Sequence, residues 1–576
     1  MILKYHLIFL FSIGIAVSTC AQDIVQTHTY PKDFFRYPLD LPPTTAGTFG
    51  ELRSNHFHSG LDFKTNQRTG YPVHAAFDGY ISRLRIQYGG FGRAVYITHP
   101  NGFTTVYGHL ERLAPELAKI VHDYQYEHQT YEADITLLPF QQNFIKGQVF
   151  AWSGNAGASA GPHVHFEIRD AITEQTINPQ LFGLSIPDKI PPTISGLYAY
   201  HLNGLPFSEK TAKEFYPVAG SGAAYRLLKS SVINLSGDIG FGIMATDRNS
   251  TSMNKNGVYS IQLKVDDKLI YTFAVERFAF DQTHAINAHI DFPAFLATGR
   301  EIQKSFILPG NKISVYPQQV NRGIITFNDD AIHNIEYVVK DVAGNTSTLK
   351  FKVKSKPAEP PSSQKPPGVL FKYNQQNDFS FDKARVIIPQ GNLYDDLYFN
   401  YAVLPRHPGA YSATYRIHNR FTPIHDSFEL WIKPDSNIGA LANKAVIVNT
   451  AGGSEGGLYE GGLYEGGFIK AHCKGFGDFF VRIDTVAPVI YPLNITNGKN
   501  MAAAKTISLK MSDNLSGIKS YNGKVDGHWV LMELDYKTKI LSYTFDENVK
   551  PGKHVFTLAV ADNKDNLSLF TANFYR

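Results

Sequence analysis

Two separated stretches of this 576-residue chain repeat the same features in the same order, and that echo limits the fold more than any other property of the sequence. Ile190-Pro191-Pro192-Thr193-Ile194 is matched by Val486-Ala487-Pro488-Val489-Ile490. Asp247, Gly257-Val258 and Val265-Asp266-Asp267 are matched by Asp513, Gly517-Ile518 and Val525-Asp526-Gly527. Asp341-Val342-Ala343-Gly344-Asn345 is matched by Asp562-Asn563-Lys564-Asp565-Asn566, each followed by alternating strand residues. Three matched features in one order predict two copies of a single unit, and short alternating runs between turn residues make that unit an Ig-like β-sandwich. The copies fall at 187–355 and 486–576, and the longer first copy is expected to carry an insertion between Phe273 and Asn321.

The rest of the chain also reads as mainly β. Gly, Pro, Tyr and Phe are abundant, and Thr/Val/Ile runs are broken by turn signals. Residues 1–21 have the form of an export signal: Lys4, the apolar run Leu7 to Val17, then Ser18-Thr19-Cys20-Ala21. That run is too short to span a bilayer. Cleavage after Ala21 is favoured; lipid modification at Cys20 is the less favoured alternative, because Thr19 is an unusual predecessor. An exported protein in the periplasm or cell envelope follows, with no transmembrane helix in the mature chain. If Cys20 departs with the signal, Cys473 is left without an intramolecular partner, so stability rests on hydrophobic cores and cysteine–zinc chemistry is excluded. The 55 basic and 51 acidic residues are interspersed, which gives no electrostatic case for a nucleic-acid partner. Between the signal and the second sandwich the expected order is an extended lead-in at 22–49, a domain at 50–186, the first sandwich, a Pro-rich linker at 356–368 and a β-rich block at 369–485. Within that block, Gly456–Glu460 and Gly461–Glu465 repeat Gly-Gly-Leu-Tyr-Glu, and the repeat is read as a lengthened hairpin loop.

Chemistry is concentrated in 50–186. Gly161-Pro162-His163-Val164-His165-Phe166-Glu167-Ile168 reads as a strand, so His163 and His165 point to one side. Such an imidazole pair needs a metal, a substrate or an acid facing it. Upstream, Gly60 between His58 and Asp62 argues against a helix and for a bend feeding a strand near Leu61. Pro100-Asn101-Gly102 is a hairpin turn whose returning strand ends at Tyr107-Gly108-His109-Leu110, and residues 114–129 have helical periodicity. His58, Asp62 and His165 together form a set suited to one Zn²⁺ with an open fourth position. His109 and His163 remain as uncommitted imidazoles.

These motifs resemble the lysostaphin/LytM-type zinc endopeptidases, the M23 peptidases, over about residues 50–182. The resemblance implies that His58, Asp62 and His165 hold zinc, and that His109 and His163 do the acid/base and oxyanion work. It implies an antiparallel β-sheet domain that hydrolyses the cross-linking peptides of bacterial peptidoglycan. The alternative is a catalytically silent relative that binds the wall or activates an amidase; all five positions being filled favours the enzyme. The long interval from His109 to Gly147 departs from the simplest family pattern and is expected to wall or cover the groove.

Blander readings apply nearby. His56 could replace His58, but Gly60 and the spacing to Asp62 favour His58. His74 and His99 read as ordinary strand or turn residues, and Glu167 either orients a ligand or lies on a solvated face. Asp247, Asp341, Asp513 and Asp562 could suggest calcium, though turn capping is the preferred reading. The sandwiches are expected to hold no further metal-like cluster and to position the enzyme on the wall or against an envelope protein partner.

Overall fold

The computed structural model describes residues 24–357, 366–450, 457–535 and 537–576. The expected signal segment and most of the expected linker lie outside them. The molecule is mainly β.

The first domain is built on a twisted antiparallel sheet. Its strands are β1 (Thr45–Gly47), β2 (Leu61–Lys64), β3 (Gly79–Ile86), β4 (Arg93–Thr98), β5 (Phe103–Gly108), β6 (Ala133–Thr136) and β7 (His163–Asp170), in the order β1-β2-β7-β5-β4-β3-β6. The edge strand β1 lies upstream of residue 50, where the sequence opens the domain. The turn at Pro100–Gly102 joins β4 to β5, with Thr98 opposite Thr104 and Val95 opposite Tyr107; Gly102 supplies its positive φ of 84°. Helix α1 (Pro115–His128) starts on a proline and ends on Gln129 in the left-handed conformation. It buries Leu117 and Val121.

The lead-in is not a free arm. Tyr30, Phe35 and Leu39 are buried in the core of the first domain, and the Tyr30 hydroxyl donates to Glu276 of the first sandwich at 2.9 Å. Phe57 packs on Phe273 and Phe278, and Thr176–Ile177 pairs with Arg277–Phe278, so core and sheet both continue from the first domain into the first sandwich.

The two sandwiches share a pairing scheme. In the first, Thr193–His201 pairs with Gly237–Thr246, and Ser260–Val265, Ile332–Lys340 and Thr346–Ser355 lie side by side. In the second, Val489–Pro492 pairs with Thr506–Ser512, and Ile518–Val525, Lys553–Asp562 and Leu567–Tyr575 lie side by side. Between Phe273 and Asn321 the first copy adds the helices Ile286–His289 and Phe292–Thr298 with short strands around them. The block between them forms two five-stranded sheets over its own core. Here the repeat departs from the loop expected of it: Leu458–Gly461 pairs with Ala445–Asn449 in one sheet and Leu463–Glu465 with Phe468–Cys473 in the other. The chain changes sheets at Gly461-Gly462, where a Cβ on Gly462 would come 2.5 Å from the Ala445 carbonyl.

The second sandwich folds back onto the first domain. The Tyr88 and Tyr521 hydroxyls are 2.6 Å apart, Arg93 pairs with Glu533 at 2.8 Å, and Tyr126 of α1 packs on Trp529. Lys537 Nζ donates to Asn155 Oδ1 at 2.7 Å.

Candidate metal centre

Register brings the five expected residues together. In β7, His165 lies directly opposite Asp62 of β2 on one side and Gly108 of β5 on the other, so His109 emerges beside it. His58 reaches the same place from the bend before β2. That bend needs Gly60, because a Cβ there would meet the Phe166 carbonyl at 2.3 Å.

The separations are short. His58 Nε2 lies 3.0 Å from Asp62 Oδ1 and 3.2 Å from His165 Nδ1, and His165 Nδ1 lies 2.9 Å from Asp62 Oδ1. His163 Nε2 is 3.4 Å from the same carboxylate oxygen, and the His109 and His163 rings are 4.6 Å apart, centroid to centroid. His58, Asp62, His109 and His165 are buried. His56 stays outside, its Nδ1–H donated to the Ser54 carbonyl.

The outward-facing nitrogens fix the tautomers. A carbonyl can only accept, so His58, His109 and His163 donate Nδ1–H to the carbonyls of Thr48, Ala156 and Gly161, each at 2.8 Å. Each Nε2 then carries a lone pair. His165 is turned the other way: its Nε2 lies 2.9 Å from Glu167 Oε1, leaving Nδ1 to face Asp62. Glu167 has no exposed surface, accepts from Ser59 and pairs with Arg169 at 2.6 Å, which rules out the solvated face. Burial opposes ionisation of Glu167, but Arg169, His165 and Ser59 hold it down to about 2. Asp62 is likewise buried.

Two imidazole lone pairs and an anionic oxygen thus converge at 2.9–3.2 Å. In a nearly dry site that arrangement repels itself unless a cation or extra protons sit between them. The separations fall within a few tenths of an ångström of the about 3.3 Å edge of a tetrahedral ion held at about 2.0 Å. By chemistry and by spacing the donor set fits Zn²⁺.

His109 has φ of 61°, a left-handed conformation uncommon outside glycine. Burial, then His163 and His165, push its pKa down to about 3, so it is neutral at physiological pH. Phe91 stacks on His165 at 4.9 Å and closes that side. Residues 56–179 match the sequence model of Peptidase family M23.

This is an M23 peptidase domain. A second model, the Zu5-like domain, matches residues 368–484. The chain is 32% identical over 178 residues to an uncharacterized metalloprotease of Haemophilus influenzae, covering 30% of each protein. It is 32% identical over 137 residues to the DD-carboxypeptidase/endopeptidase Mpg of Neisseria meningitidis, covering 24% of this chain and 25% of that one. Among solved structures, the catalytic domain of lysostaphin from Staphylococcus simulans is 21% identical, with 25% of this chain and 93% of that one covered and a TM-score of 0.18. The matches thus span 30% or less of these curated relatives.

Sequence reasoning missed Thr48, Ser59 and Arg169 around the M23 centre and left Glu167 undecided. A signal was present: His163, His165, Glu167 and Arg169 are four polar residues at alternate positions of one strand, with Val164, Phe166 and Ile168 between them. His99 and His74 are structural, as expected. The His99 nitrogens lie at 2.9 Å from the Asp78 carbonyl and 2.8 Å from Thr105 Oγ1, and His74 Nδ1 lies at 2.8 Å from the Gly147 carbonyl.

One expectation fails. Asp188, Asp247 and Asp341 of the first sandwich, and Asp484, Asp513 and Asp562 of the second, each bring carboxylate oxygens within 4.8 Å of one another. Metal-like clusters are therefore present outside the M23 domain. The sequence pointed to Asp247, Asp341, Asp513 and Asp562 but preferred turn capping for them, and it did not single out Asp188 or Asp484, because each triad gathers residues from three separate segments.

Proposed function

We propose that the protein is an envelope-located, zinc-dependent endopeptidase that hydrolyses peptide cross-links of bacterial peptidoglycan. The observation that carries this is the convergence of His58 Nε2, Asp62 Oδ1 and His165 Nδ1, with the free nitrogens of His109 and His163 turned toward the same space. The endopeptidase name of the Neisseria relative supports the substrate class.

His58, Asp62 and His165 would hold the ion. When bound, Zn²⁺ supplies Lewis acidity toward a peptide carbonyl and toward water. Thr48 and Glu167 keep the two ligand imidazoles in the tautomer that presents a lone pair. His109 and His163, each fixed through Nδ1–H, have an unprotonated Nε2 able to take the proton of the attacking water. Once protonated, that Nε2–H donates a hydrogen bond to the developing oxyanion, and the proton then passes to the departing amine. The two residues share these tasks as a pair. Phe91 stacks on His165, and the Ala156 carbonyl holds His109 in place.

The test is incubation of the zinc-loaded chain with cross-linked peptidoglycan fragments, reading new amino termini by mass spectrometry. Activity should vanish with chelator, return with Zn²⁺, and fall by at least about a hundredfold in His109→Ala and His163→Ala. A zinc-loaded wild type that binds the fragments but releases no amine would identify the silent wall-binding protein instead.

A further inference from the structure

The aspartate triad of the first sandwich lies at a structural seam. Asp188 sits in the segment joining the M23 domain to the sandwich, Asp247 follows the strand Gly237–Thr246, and Asp341 follows Ile332–Lys340. The three residues line a cavity of about 20 Å³ together with Thr48 and Asn178 of the M23 side. That volume accommodates one water-sized occupant.

Capping explains only part of this cluster. Asp341 accepts from Asn345 N at 2.9 Å and Asn345 Nδ2 at 2.7 Å, and Asp188 accepts from Ile190 N at 3.0 Å. Asp247 is different: it is 7% exposed, and its Oδ1 has no hydrogen-bond partner. Thr48, 6% exposed, also leaves Oγ1 without a partner on the same cavity. The charged side chains that bear on Asp247 are Asp341 and Asp188, both of its own sign. A buried, unpartnered carboxylate oxygen beside two further carboxylates is satisfied by a cation or, failing that, by a proton.

We infer that Asp188, Asp247 and Asp341 form a Ca²⁺ site at the junction of the M23 domain and the first sandwich. All the donors are oxygens, with no imidazole or thiolate, which selects a hard cation. Oxygens sharing one Ca²⁺ at about 2.4 Å can be no further apart than about 4.8 Å, and tolerance of irregular geometry favours Ca²⁺ over Mg²⁺. The equivalent triad in the second sandwich also leaves Asp513 Oδ1 without a partner, but Asp513 is only half-buried and Lys564 interacts electrostatically with Asp484 and Asp562. Thr48 connects the proposed site to the metal centre. Its carbonyl accepts His58 Nδ1–H, while its side chain lines the same cavity as the aspartates, so an ion there would steady the residue that orients His58.

The experiment uses the full zinc-loaded chain. Tb³⁺ luminescence, sensitised by Tyr259 on the cavity wall, is competed with CaCl₂, and melting temperature is followed in parallel. Saturable Ca²⁺ binding with Kd of about 10⁻⁴–10⁻³ M is expected, in the range of extracellular modules. Asp247→Asn should weaken it at least about tenfold, and Asp513→Asn should leave it unchanged. If circular dichroism shows Asp247→Asn misfolded, Asp188→Ala, at a partly exposed position, provides the same comparison. Absence of saturable binding up to about 10 mM Ca²⁺, undiminished binding in the folded variant, or its loss in Asp513→Asn would each overturn the assignment.

Discussion

At the scale of residues, the proposed metal centre depends as much on the groups behind His58, Asp62 and His165 as on those three side chains. Glu167 is the clearest case, since it fixes the His165 tautomer and neutralises buried Arg169. Glu167→Gln should lower zinc affinity about 10–100-fold, measured by competition with a chromophoric chelator. It should also destabilise the fold by about 3–5 kcal/mol, because Arg169 is left buried without its counter-charge. Unchanged zinc affinity would remove Glu167 from the site. Three further histidines act on stability alone. Burial pushes His99, His289 and His418 each down to about 4, well below their value in an unfolded chain. Between pH 6.5 and 4 the unfolded chain therefore binds protons that the folded chain refuses, and stability falls as pH falls, by at most about 3 kcal/mol per site. Urea unfolding at pH 7 and pH 4.5 should show that loss; equal stability at the two values would contradict it. That His58, Asp62, His109, His163 and His165 meet was legible in the sequence, because strand alternation and the motifs that resemble M23 peptidases point to them. Thr48 was not, because it contributes through a backbone carbonyl, which any residue could supply.

At the scale of elements, strand register does the assembling. Pairing β7 with β2 sets His165 opposite Asp62, and a one-residue slip would send one of them to the other face. The bend at Gly60 lets His58 join them. Gly60→Ala, whose Cβ would meet the Phe166 carbonyl at 2.3 Å, should destabilise the protein by about 1–3 kcal/mol and reduce zinc retention together. Full zinc occupancy at unchanged melting temperature would show that the bend can relax. The insertion of the first sandwich also bears on the site. Phe278 packs on Phe57 and Phe49, which flank Thr48 and His58, and the Thr283 hydroxyl accepts from Phe57 N at 2.9 Å. Phe278→Ala should cost about 3–5 kcal/mol, read by denaturant unfolding, and loosen zinc as well. The length of the insertion was visible as a mismatch between the two copies. Its role as a buttress was not, because that depends on contacts between residues more than two hundred positions apart.

At the scale of the whole molecule, the two sandwiches pack against the M23 domain instead of trailing from it. The first sandwich continues its core and sheet, and the second returns to touch α1 and the loop at Asn155, next to the carbonyl that holds His109. The interval after His109, expected to border the groove, thus becomes a docking surface for the end of the chain. The sequence exposed the two copies of the sandwich but not their positions, since interdomain packing leaves no periodic trace. No helix among the described residues is long and apolar enough to cross a membrane. The account as a whole stands on one ion shared by His58, Asp62 and His165. The most direct measurement is an anomalous difference map, collected at the zinc edge from crystals of the zinc-loaded protein. The account predicts a peak between His58 Nε2, Asp62 Oδ1 and His165 Nδ1, lost in His165→Ala; a peak confined to another site, or none, would contradict it.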